Sequence, residues 1–72
     1  MLVTVELFGI PRARAGVAQV TVDATTLGDV FASLAERFPS LGVSCIDGRT
    51  LKPGYTANLR GEQFMTDPAT VL

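Results

Sequence analysis

Val3, Val5 and Leu7 alternate with Thr4 and Glu6 across Leu2–Phe8. That is the two-residue period of a half-buried strand, with Leu2 and Phe8 on the more polar face. The segment Gly9–Val17 carries Pro11, Gly9 and Gly16 and reads as a loop. Alternation resumes over Ala18–Asp23, where Val20 and Val22 share one face and Gln19, Thr21 and Asp23 the other. Two alternating strands joined by one loop predict an antiparallel hairpin with a single apolar face.

The period then changes. Leu27, Val30, Phe31, Leu34, Ala35 and Phe38 fall at i, i+3, i+4, i+7, i+8 and i+11. These positions make one face of an α-helix, predicted over Thr26–Phe38. Thr26 is placed to cap it, and Asp29, three residues on, is an acidic relative of the capping-box residue and complements the helix dipole. Pro39 lacks an amide donor and disfavours helical geometry at Phe38, so the helix is expected to end there. A helix this short is marginal alone and must lie on an apolar surface, which the hairpin supplies.

Beyond Pro39 the pattern weakens. Ser40–Pro53 reads as connecting structure with a turn at Asp47-Gly48, in which Leu41, Val43, Ile46 and Leu51 are expected to plug the edge of the core. Tyr55–Leu59 and Glu62–Thr66 flank Arg60-Gly61 and read as a second hairpin. Asp67-Pro68 opens a further turn, and Val71-Leu72 begins another apolar segment. The expected architecture is a single α+β domain over residues 1–72, with a helix on one face of a mostly antiparallel sheet.

Composition narrows the chemistry. The chain is 72 residues, 47% hydrophobic and 18% charged, with net charge −1. A chain this short buries only about 60% of its unfolded surface, so each packing element matters. The six basic residues are dispersed rather than clustered, unlike a nucleic-acid footprint. No apolar run is long enough to span a bilayer, no signal-peptide pattern is present, and a cytoplasmic location is expected. One cysteine, Cys45, excludes an internal disulfide and multi-cysteine metal sites. The lack of histidine excludes a Ser-His-Asp or Cys-His relay within the chain. The seven carboxylates show no spacing that points to acid–base catalysis.

The order of elements, with Val3–Gly9 followed by Arg12 and Gly16, Thr26–Val30 through Phe38-Pro39, Asn58–Glu62 and Thr66–Thr70, resembles the MoaD/ThiS-type sulfur-carrier family. The resemblance covers essentially the whole chain. It implies a ubiquitin-like β-grasp, in which one helix packs across one face of a mixed sheet. It also implies a protein cosubstrate rather than an enzyme. A partner adenylating enzyme, which itself uses ATP, would activate a C-terminal glycine, and the carrier would bind no cofactor directly. The thiocarboxylate would then serve the large subunit of molybdopterin synthase in molybdenum-cofactor synthesis, or thiazole synthase in thiamin synthesis. The family's final strand and Gly-Gly tail have no counterpart in these residues. The chain is therefore read as C-terminally incomplete. A non-catalytic ubiquitin-like interaction module, or a sheet completed by a second chain, are the alternatives. An unpaired edge on Leu2–Phe8 would favour self-association. No nucleic-acid or membrane partner is expected.

Three residues form a candidate partner surface. If Val3, Val5 and Leu7 face the helix, Phe8 faces away, and if Phe64 faces it, Met65 faces away too. Arg12, with Arg14, could dock an acidic patch or a phosphate, against a plainer reading as solvated loop charges. Cys45 could relay sulfur, with Arg49 as its nearest basic neighbour in sequence. Its plainer reading is a small semi-buried residue.

Overall fold

The computed structural model describes residues 1–59, 63–65 and 67–72, with Leu59 and Gln63–Met65 described by backbone alone. Strand β1 (Leu2–Glu6) pairs antiparallel with β2 (Gln19–Asp23), bringing Val3 opposite Val22 and Val5 opposite Val20. Val20 and Val22 are buried, as is Leu7 just beyond β1, while Leu2, Thr4 and Glu6 are exposed. The alternation thus assigned both strands and both faces as expected.

The connection between them is not a plain loop. Gly9–Ala15 forms helix α1. Arg12, Ala13, Arg14 and Ala15 are favourable helix residues, and Pro11 sits in the first turn, where no amide donor is needed. Gly16 terminates the helix in the left-handed conformation at φ 77°, its amide donating to the Arg12 carbonyl at 2.9 Å. The residues that read as loop punctuation are the helix's start and stop signals.

Helix α2 (Leu27–Arg37) carries Thr26 at its N-cap and the full reciprocal capping box with Asp29. It buries Leu27, Val30, Phe31 and Leu34, each contributing about 1.5–3 kcal/mol. Pro39 ends this helix and is also the first residue of α3 (Pro39–Cys45). The same ring that breaks one helix presets the backbone angle that starts the next. The expected single helix is therefore corrected to three. The helical period also corrects Val43. Leu41 and Cys45, four residues apart, point inward, whereas Val43 is 75% exposed.

Ile46 is buried, and Leu51 packs against the core, as expected for the connecting segment. They belong to a two-residue ladder of β3 (Ile46–Asp47) and β4 (Thr50–Leu51), turned at Gly48 with φ 64°. A second hairpin pairs β5 (Ala57–Leu59) with β6 (Gln63–Met65), with Asn58 opposite Phe64. Its expected turn at Arg60-Gly61 lies outside the described residues. Among the described residues the strands form three separate antiparallel pairs rather than one mixed sheet. The whole is a small α+β fold in which α2 packs on β2, α3 on α2 and α1 on α3.

The α2–α3 crossing is close. A Cβ added at Gly42 would lie 3.0 Å from both Cα and Cβ of Ala35. Ala in place of a helical Gly normally gains about 1 kcal/mol. At this crossing the contact on backbone atoms opposes that gain. Gly42→Ala is expected to lower the melting temperature, and Gly42→Val to cost about 1–3 kcal/mol, in thermal and urea unfolding followed by circular dichroism.

Candidate functional site

Phe8 lies two residues beyond β1, still in an extended conformation (φ −133°, ψ 157°), and is the N-cap of α1. Its side chain is 69% exposed. The Arg12 amide donates to the Phe8 carbonyl at 3.5 Å, closing the first turn, so Arg12 follows Phe8 on the same short helix. Both side chains are exposed at one end of the β1–β2 hairpin. Ile10 and Val17 are exposed at the same end, and Gly9, Arg12, Ala13, Gly16, Val17 and Ala18 line a shallow open depression. The third expected member, Met65, lies in β6 opposite Ala57, and its side chain is outside the described residues. The structure thus joins Phe8 and Arg12 and adds Ile10 and Val17, which the sequence reading missed. The signal available was the helix-forming run Arg12–Ala15 closed by Gly16, which turns an apparent loop into a surface with defined faces.

This end has the chemistry of a contact surface. Phe8, Ile10 and Val17 are exposed apolar side chains on the segment that carries the exposed Arg12, and no buried polar atom is left unpartnered among the described residues. Among those residues no three His, Cys, Asp or Glu side chains come together as a metal site.

Cys45 is 1% exposed, in the last turn of α3. Interaction with this thiol first, and then partial desolvation, hold the Tyr55 phenol above its usual pKa. Arg49 does not serve the thiol. Its guanidinium pairs with the Asp29 carboxylate instead. Burial of this kind matches the plain reading of Cys45 as a packing residue.

The best-defined electrostatic feature is Asp29. Its carboxylate accepts from Arg49 Nη2, the Thr26 amide at 3.1 Å and the Thr25 amide at 3.2 Å. The Arg49 hydrogen bond first, then those two amides, bring its pKa down from 3.8 to about 2. A carboxyl whose pKa falls on folding stabilises the fold above its unfolded value, and that contribution is lost as pH drops through the folded value. Acid unfolding should therefore show a loss of stability between about pH 4 and pH 2. Asp29→Asn should flatten that part of the profile in urea titrations across the range. Among the described residues, no helix is long and apolar enough to cross a membrane. No protein-family model, curated protein or solved structure matches the chain.

Proposed function

We propose that this chain is the folded body of a sulfur-carrier protein of the MoaD/ThiS type, a β-grasp cosubstrate in molybdopterin synthesis. The observation that carries the reading is the arrangement of the N-terminal half. An antiparallel hairpin holds α2 on its inner face and keeps Phe8 and Arg12 bare at one end. In a carrier of this kind, the partner grips the body and the reacting group sits on a Gly-Gly end, which residues 1–72 do not include.

The chemistry would be divided between proteins. The partner's ATP would adenylate the glycine carboxylate and release pyrophosphate. A sulfur donor would displace AMP to leave the thiocarboxylate. Glycines suit the threaded segment because they adopt many backbone geometries without side-chain clashes. The body's part would be recognition, with Phe8 as an aromatic anchor and Arg12 as a charge that selects an acidic counterpart. Sulfur transfer for thiamin-thiazole synthesis would use the same parts. A ubiquitin-like interaction module without sulfur chemistry is the second reading. It is favoured by the same exposed residues, Phe8, Ile10 and Val17, which need no tail to bind.

The two readings separate cleanly. A version carrying a Gly-Gly end, incubated with a cognate adenylating enzyme, ATP and sulfide, is expected to exchange its terminal hydroxyl for a thiol in intact mass spectrometry. An unchanged mass under conditions that modify a known carrier would remove the carrier reading. Phe8→Asp is expected to weaken partner binding about tenfold or more in calorimetry. The thermal melt should hold, because Asp is a favoured N-cap for α1.

A further inference from the structure

We infer that the free edge of β1 pairs with the β1 edge of a second copy, forming an antiparallel two-fold dimer centred on Val5. The inference uses only the hairpin of residues 1–72; in the carrier reading, a further strand would compete with the second copy for this same edge.

The hydrogen bonds of the hairpin set which groups remain. Leu7 donates to the Ala18 carbonyl and Ala24 to the Met1 carbonyl, each at 2.8–2.9 Å. With the register Val3↔Val22 and Val5↔Val20, the odd-numbered residues of β1 bond to β2. The amides and carbonyls of Leu2, Thr4 and Glu6 therefore point away from the hairpin, and so does the amide of Phe8, which is still extended. Among the described residues no strand pairs with this edge. Such a row is a template for another strand.

The opposite edge of the hairpin is different. The Thr21 carbonyl on β2 accepts from Arg37 Nη1 at 2.7 Å, so a side chain from the last turn of α2 occupies that row. One open edge and one obstructed edge favour a closed pair over an open-ended stack, since an isologous contact uses the same surface on both copies.

Side-chain chemistry then selects the register. Only even-numbered residues can bond across this edge. Placing Glu6 opposite its own copy sets two carboxylates together. Placing Leu2 opposite the partner copy's Glu6 leaves Phe8 bare. The register with Leu2 opposite the partner copy's Phe8 places Thr4 opposite Glu6, hydroxyl beside carboxylate, and opposes no like charges. It also covers the exposed apolar side chains at the two ends of this edge, Leu2 at 75% and Phe8, just past the strand, at 69% exposure. On the inner face it sets Val5 beside Val5 and Val3 beside Leu7, extending a row in which Val3 and Val5 are only partly buried. A contact of this length is smaller than the roughly 20–30 residues a side of a standard stable interface, so the dimer is reversible and concentration-dependent.

Sedimentation equilibrium of the 72-residue chain over a wide concentration range tests this. A monomer–dimer equilibrium is expected. Thr4→Pro removes an outward amide without touching a β1–β2 bond, and edge strands tolerate proline. It should leave the chain monomeric and folded by circular dichroism. Leu2→Lys or Phe8→Asp alone should weaken dimerisation about tenfold, because each change occurs twice in a symmetric pair. The combined Leu2→Lys/Phe8→Asp variant should recover affinity at low salt, as the introduced ammonium then faces the introduced carboxylate. A wild type that stays monomeric, or a Thr4→Pro variant that dimerises as before, overturns the inference. Open-ended association overturns the closed pair, and failure of the double variant to recover overturns the register.

Discussion

The N-terminus of α2 is the constraint on which the other contacts hang. A helix starts with backbone amides that have no partner inside it, and burying them bare costs about 1–3 kcal/mol each. Here each finds one. The Thr26 amide donates to the Asp29 carboxylate, and the Asp29 amide to the Thr26 hydroxyl. The Leu27 and Gly28 amides donate at 2.9 Å to the carbonyls of Thr70 and Pro68. Half of the cap is local, and half comes from a segment some forty residues further along. The Leu72 amide closes the same junction on the Thr25 carbonyl. Gly28 suits that approach, since a Cβ there would sit 3.1 Å from Pro68 and 3.0 Å from Arg49 Nε and force both neighbours to shift.

With α2 anchored this way, its apolar face settles on β2 and its last turn reaches the hairpin's edge through Arg37. Pro39 turns the chain at once into α3, whose Gly42 lets it approach Ala35, and Lys52 Nζ then donates to the Val43 carbonyl near that helix's end. Burial is thus concentrated on one side of the hairpin. What the packing leaves bare is the outer row of β1 and the α1 end. Phe8 belongs to both, so a partner gripping that aromatic would compete with self-pairing for the same side chain.

The hairpin, α2, its cap and the inward set Val20, Val22, Leu27, Val30, Phe31 and Leu34 were legible because each depends on spacing along a few consecutive residues. The misreadings have one cause. Pro and Gly act by position, and a short helix gives too few residues for its period to stand out. Gly9, Pro11 and Gly16 bound α1 rather than mark a loop, and Pro39 both ends and begins a helix. Val43 followed from the second of these: alternation would place it with Leu41, whereas a helix places it opposite. At the candidate site, the exposure of Phe8 was readable from the alternation of β1. Its grouping with Ile10 and Val17 depended on a helix that the pattern did not reveal.

By itself the sequence determined the local periods, the helix cap at Thr26 and Asp29, and the chemistry that a chain without histidine and with one cysteine cannot perform. Those are properties of side chains and their near neighbours. The tertiary structure alone decided that Pro68 and Thr70 complete the cap, that Arg49 belongs to Asp29 rather than to Cys45, and that Cys45 is sealed in the core. It also decided which edge of the hairpin stays open. These depend on which distant segments meet, and that is set by burial of a shared core rather than by any local spacing.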